Sequence, residues 1–204
     1  MDTLPRHLGG HNNITHTDRG ALKWLFGRGG RTLLDVGCGP GGQVELAREE
    51  GFDAWGIDGD PSCEPEYVHD YTKGSLDTIL PRIDVVWCIE FLEHLEIKYL
   101  PNLWPTFHLA QMLVLTASPP GHGGHHHVNE QPLCYWIHML SPGFVYSPDL
   151  SLELTKASTM TREFIRNTGM VFLNKAALKA QSQYDPWTLW PILHGNGGGN
   201  LSES

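Results

Sequence analysis

An α/β fold with a mostly parallel central sheet is what this 204-residue sequence predicts. Two observations carry the prediction. Short apolar runs of strand type alternate with segments of helical character from residue 15 to residue 120, the pattern of βαβ units joined by right-handed crossovers. The first of those runs, RTLLDVG (31–37), flows into a glycine-rich turn and then a helical segment, which sets backbone N–H groups at a helix N-terminus free to meet a ligand.

Taken in order, residues 1–16 are polar and rich in Gly and His, and form an N-terminal arm. THTDRGALKWLFGRGG is a helix that Thr15 or Thr17 caps, with Ala21, Leu22, Trp24, Leu25 and Phe26 on its buried face and glycines 27, 29 and 30 ending it. PGGQVELAREEG is helical and stops at Gly51. FDAWGID is a second strand, EYVHD a short third and RIDVVWCIE a fourth. LPNLWPTFHLA is a helical region broken by Pro101 and Pro105, and QMLVLTASPP is a fifth strand. A Gly/His loop spans 118–131. NEQPLCYWIHML then reads as a helix, GFVYSP as a turn or short strand, SLELTKASTMTREFIRNTG as one helical stretch and MVFLNK as a last strand. The tail 194–204 has few apolar residues and predicts disorder. With no internal repeat and no linker, residues 1–204 are expected to form one domain.

Composition narrows the function. Hydrophobic residues make up 40% and charged residues 18%, ordinary for a globular chain with a sizeable core. A net charge of −9 counts against a nucleic-acid partner and favours a small-molecule one. No apolar run is long enough to span a membrane, and the N-terminus has no signal-peptide pattern. Cys38, Cys63, Cys88 and Cys134 form no C-x-x-C pair, which points to reduced thiols and a cytoplasmic location.

The strongest motif is LLDVGCGPGGQ at 33–43. As a bare pattern, Gly37, Gly39 and Gly42 fit the dinucleotide fingerprint G-x-G-x-x-G. The full stretch D-V-G-C-G-P-G resembles motif I of the class I S-adenosylmethionine-dependent methyltransferases much more closely. The resemblance implies a Rossmann-like fold and that cofactor. It also implies that Gly37, Cys38, Gly39 and Gly41 cradle the methionine part, with Asp35 near its amino group. Asp58 in WGIDGD would accept hydrogen bonds from the ribose hydroxyls, and Asp70 would lie near the adenine. Asp84 matches the acid that often opens the fourth strand in this family, and Ile89 at that strand's end joins the cofactor-binding set.

CIEFLEHLE, at 88–96, brings Glu90, Glu93 and His94 together just after the fourth strand. Starting a helix near Glu90 would place all three on one face. Two carboxylates and an imidazole suit Mg²⁺ or Mn²⁺. E-x-x-E-H at this place also looks like the small-RNA 3′-terminal 2′-O-methyltransferases and the O-methyltransferases of ubiquinone biosynthesis, in both of which it binds a divalent metal. In the RNA group a histidine from beyond the fifth strand completes the site. Here the loop offers His122, His125, His126 and His127. In an extended segment neighbouring side chains alternate, so either His125 and His127 together or His126 alone would face the pocket. The metal set is thus drawn from Glu90, Glu93, His94, His125, His126 and His127, and the catalytic set from Glu90, His94 and His126, a histidine serving as general base if no metal is present. Tyr135 and Trp136 are candidates for a substrate wall. The expected function is O-methylation of a small hydroxylated metabolite or saccharide. The alternatives are RNA ribose 2′-O-methylation and non-catalytic binding of S-adenosylmethionine.

Overall fold

The structure is a computed structural model and describes residues 4–78 and 80–184; the predicted tail, 194–204, lies outside the described residues. Its elements in chain order are α1 (Arg19–Gly27), β1 (Thr32–Val36), α2 (Gly42–Glu49), β2 (Asp53–Asp58), β3 (Tyr67–Val68), β4 (Ile83–Cys88), α3 (Leu100–His108), β5 (Ala110–Leu115), α4 (Leu133–Leu140), β6 (Phe144–Tyr146), α5 (Pro148–Ala157), α6 (Phe164–Thr168), β7 (Met170–Asn174) and α7 (Lys175–Tyr184). The seven strands form one sheet in the order β3-β2-β1-β4-β5-β7-β6. All neighbours run parallel except β7, which is antiparallel to both β5 and β6.

The period-2 alternation of the strands builds two apolar layers. On β4, Val86 and Cys88 face the layer that holds Leu103 and Phe107 of α3 and Trp136 of α4. Val85 and Trp87 face the layer that holds Leu22 and Leu25 of α1, Ala47 of α2 and Leu154 of α5. With helices on both faces, the central strands are buried on both, which is why they read as continuous apolar runs.

Several elements differ from the sequence expectation. Asp18, not Thr15 or Thr17, caps α1: its Oδ1 accepts the Ala21 N–H at 2.9 Å. The same buried carboxylate takes the Thr159 N–H at 2.9 Å and a short bond from the Ser158 hydroxyl. That anchoring, 140 residues away in sequence, holds the segment that divides the expected helix at 151–169 into α5 and α6. Pro101 and Pro105 do not break α3: Pro101 sits in its first turn, where its missing N–H costs nothing, and the helix carries Pro105 in its interior. Helix α7 has no counterpart in the sequence reading.

The sheet positions the site. Strand order reverses between β1 and β4, which are paired neighbours, with Asp35 opposite Trp87. The loops leaving the carboxyl ends of these two strands therefore flank one crevice, the usual ligand position in open α/β sheets.

Candidate active site

The glycine loop leaves β1 in left-handed backbone: φ is +79° at Gly37, +50° at Gly39 and +81° at Gly41. Gly37 needs its missing Cβ twice over, since an added one would also come 2.5 Å from the Phe91 ring. Gly37 and Cys38 donate to the Ile57 carbonyl, at 2.8 and 3.1 Å. Asp58 then ties the loop from the β2 side, accepting the Gly39 N–H on Oδ2 and the Asp60 N–H on Oδ1, both at 2.8 Å. Asp35 is buried just below. Burial and the Asp58 charge push its pKa up to about 8. Burial also raises the Cys38 thiol, which leaves it an inert packing group.

Across the crevice, Glu90 does not start a helix. Its φ is +56°, a strained value for a residue with a side chain, and a single 3₁₀ turn at Leu92–His94 follows. Thr116, just past β5, holds that conformation by accepting the Glu90 N–H at 2.8 Å and donating its hydroxyl to Glu90 Oε1 at 2.9 Å. Two residues on, Ser118 donates to Glu93 Oε1 at 3.1 Å. Glu93 is fully buried, and burial together with the Glu90 charge pushes its pKa up to about 8. Burial also raises Glu90. His94 is pushed down to about 4 by burial and by the nearby His127, so it is neutral at physiological pH.

Ligand atoms of Glu93, His94 and His127 all lie within 4.8 Å of one another. Among the described residues, Glu93 Oε2 and His94 Nδ1 are buried and have no hydrogen-bond partner. The loop at 118–131 is moored to this turn: Val128 and Asn129 donate N–H to the Glu93 carbonyl at 2.9 and 3.1 Å, and Gln131 closes back on the Ser118 carbonyl at 3.1 Å.

The N-terminal arm crosses both sides. His11 Nδ1 accepts the Asn13 N–H at 2.9 Å, which leaves Nε2 to donate to Asp60 Oδ2 at 3.0 Å, with Cys63 Sγ 3.3 Å from the same nitrogen. His7 pairs with Asp70 at 3.2 Å. Thr15 accepts the Gly42 N–H at 3.3 Å. Leu8 lies so close to Gly59 that a Cβ there would meet it at 2.4 Å. Toward the acidic turn, His125 Nε2 donates to the Arg6 carbonyl at 2.8 Å.

Residues 13–121, more than half of the chain, match the family described as "Methyltransferase domain". The chain belongs to that family. It has the class I fold of the S-adenosylmethionine-dependent methyltransferases. A curated relative, the ubiquinone biosynthesis O-methyltransferase of Alkalilimnicola ehrlichii, is 30% identical over 155 residues, covering 70% of this chain. The chain spans 58% of that relative's length. Among solved structures, a TehB-like SAM-dependent methyltransferase from Corynebacterium glutamicum superposes with a TM-score of 0.53 at 17% identity, covering 83% of this chain and 94% of that one. The sugar N-methyltransferase KedS8 from Streptoalloteichus sp. gives 0.54 at 15% identity, covering 76% and 86%. At such identities the likeness is one of fold.

In this methyltransferase the sequence-named residues divide. Asp35, Gly37, Cys38, Gly39, Gly41 and Asp58 gather at the end of β1, while Ile89 leaves β4 beside them. Asp58 accepts one backbone amide on each of its oxygens, which leaves further lone pairs for other donors. Asp70 caps a turn through the Thr72 N–H at 2.9 Å as well as meeting His7. Asp84 lies at the opposite end of the sheet, accepting the Arg31 and Thr32 N–H groups at 2.9 and 3.0 Å. A cavity of about 340 Å³ beside it, lined also by Gln111 and Leu178, is likewise remote from the crevice.

The histidine triplet does not alternate as an extended strand would. His126 is left-handed, with φ +50°, and that turn fans the three rings apart. His125 Nε2 bonds the Arg6 carbonyl, His126 lies 6.2 Å from the His7 ring, and His127 meets the His94 ring edge-on at 5.0 Å. His126 is therefore outside the cluster to which the catalytic and metal sets assigned it, and so is His125. Thr116, Ser118, His11, Asp60 and Glu130 were missed. Their only sequence signals were the His-rich arm and the second acid in WGIDGD.

No helix among the described residues is long and apolar enough to cross a membrane.

Proposed function

We propose that this methyltransferase moves the methyl group of S-adenosylmethionine to a hydroxyl of a small acceptor, a metabolite or saccharide, and that Glu90, Glu93, His94 and His127 hold a Mg²⁺ or Mn²⁺ ion beside it. The observation that carries the reading is the pair of buried, unpartnered atoms Glu93 Oε2 and His94 Nδ1 within the Glu93–His94–His127 cluster. Buried polar atoms are ordinarily satisfied, and a cation is the partner that a carboxylate and neutral imidazoles share. Such an ion, when bound, lowers the pKa of an acceptor hydroxyl and orients its oxygen.

The chain's own groups do the rest. Thr116 and Ser118 hold the two carboxylates in place. His94, with a pKa of about 4, keeps both its neutral form and its lone pair at pH 7. A pKa that low makes it a weak general base and favours the ligand role over the metal-free base. Transfer is an in-line displacement: the acceptor oxygen bonds the methyl carbon as the carbon–sulfur bond breaks, and the sulfur keeps the electron pair. The relative named for O-methylation in ubiquinone biosynthesis supports a hydroxyl as the acceptor. The net charge of −9 favours a small acceptor over a polynucleotide. The four free cysteines support a reducing, cytoplasmic setting.

The test is a calorimetric titration of Mn²⁺ into protein saturated with S-adenosylhomocysteine, repeated on Glu93→Ala. One-site binding lost in the variant is the expected result; no binding by the wild type would overturn the metal reading. A screen of catechols, vicinal diols, sugars and RNA ends with labelled cofactor then identifies the acceptor, and methylation of RNA ends alone would overturn the small-acceptor reading.

A further inference from the structure

Glu130 is tied to the Gly/His loop in a way that the methyl-transfer chemistry does not by itself require. Its Oε2 accepts the Gly121 N–H at 2.7 Å. Its Oε1 accepts both the Gly123 N–H and His127 Nδ1, the latter at 3.0 Å. A carboxylate only accepts, so His127 must carry its proton on Nδ1. In a neutral imidazole the other nitrogen, Nε2, then keeps its lone pair. The ring's place is set on its other side by Gly124, where a Cβ would come 2.4 Å from His127 Nε2. His122 stacks on the same ring at 6.3 Å.

We propose that Glu130 is a positioning residue, which holds His127 in the Nδ1–H tautomer and so makes Nε2 the donor nitrogen of the acidic-turn site. This inference deepens the metal reading above and rests on it for its consequence, though not for its geometry. Of the four loop histidines, His127 alone has a carboxylate on one nitrogen and the His94 ring against its edge. His125 is committed through Nε2 to the Arg6 carbonyl, and His126 faces the arm. Carboxylate partners of ligand histidines fix ring orientation and raise ligand basicity, and removing one commonly weakens metal binding by about 10–100-fold. Glu130 adds a second function, because the same carboxylate gathers two loop amides and so sets the loop and the ring together.

The experiment has two arms that fail separately. The first reads the His127 tautomer in the metal-free protein by ¹⁵N–¹H imidazole spectra, assigned with a His127→Gln control. The wild type is expected to show the Nδ1–H form, and Glu130→Ala, which removes the acceptor of that proton, is expected to lose it. The second arm measures Mn²⁺ affinity by calorimetry, expected to fall about 10–100-fold in Glu130→Ala while S-adenosylhomocysteine affinity holds. Gly124→Ala, which crowds the ring and leaves Glu130 intact, is expected to weaken Mn²⁺ binding as well. An Nε2–H tautomer in the wild type, or a variant with unchanged tautomer and unchanged Mn²⁺ affinity, overturns the proposal. If the wild type binds no Mn²⁺, the metal reading falls, and the tautomer arm still decides whether Glu130 positions His127.

Discussion

His11 Nε2 lies 3.0 Å from Asp60 Oδ2, so the N-terminal arm is clasped to the acid two residues beyond the end of β2. The same arm meets Gly59 and Gly39 by van der Waals contact and Asp70 through His7. It lies across the loops that follow β1 and β2, and its bonds are expected to open when S-adenosylmethionine enters between them. Replacing His11 by Ala removes a hydrogen bond to a charged partner, a change on the order of 1–2 kcal/mol. Both association and dissociation of S-adenosylhomocysteine are expected to speed up, by up to roughly 5- to 30-fold. Stopped-flow tryptophan fluorescence reads both rates, and unchanged rates would show that the arm is not a gate.

Asp35 is protonated at neutral pH in the free protein, with a pKa of about 8 caused first by burial and then by Asp58. The resemblance to class I methyltransferases puts the cofactor's cationic amino group near Asp35, and an ammonium there would favour the ionised form. Cofactor binding is therefore expected to release a proton below pH 8 and to tighten as pH rises toward that value. Calorimetry of S-adenosylhomocysteine binding in two buffers of different ionisation enthalpy counts the proton. Asp35→Asn should abolish the release.

Stability should fall as pH rises from about 6.5 to 8. Asp35 and Glu93 have folded pKa values of about 8, well above those of an unfolded chain. Over that interval the folded protein retains protons that the unfolded chain has already released, so raising the pH favours unfolding. His94, held at about 4, has the opposite effect, but only below its unfolded value of about 6.5. Each carboxyl contributes a slope of up to about 1.4 kcal/mol per pH unit. Urea unfolding at both ends of the interval measures the sum, and excess Mn²⁺ is expected to remove the Glu93 share. A flat profile in metal-free protein would contradict the burial of these groups.

Thr116→Val keeps the side-chain shape and removes both bonds that hold Glu90. The left-handed Glu90 backbone then loses its restraint, and a destabilisation of about 1–3 kcal/mol is expected. Mn²⁺ affinity should drop with it, while Thr116→Ser, which keeps the hydroxyl, should retain both. Thermal melts and metal titration of the pair separate the hydroxyl from the methyl.

The layout of the sheet was legible in the chain because parallel strands are buried on both faces and therefore read as apolar runs, from LLDV to MLVL. The glycine loop was legible for a similarly local reason: Gly37 and Gly39 occupy backbone conformations that side chains rarely adopt, so the loop is written in glycines. The triplet at 125–127 was not legible in this way. Which of its rings faces the acidic turn depends on a left-handed His126, which no glycine announces, and on Glu130 and Arg6, which meet the loop only in three dimensions. The cap of α1 likewise fell to Asp18, a carboxylate also bonded to Ser158 and Thr159 far along the chain. Local backbone demands leave their mark in sequence, because the residue that meets them is the one that bears them. Partnerships between distant side chains leave none, because each residue is ordinary until the fold delivers the other.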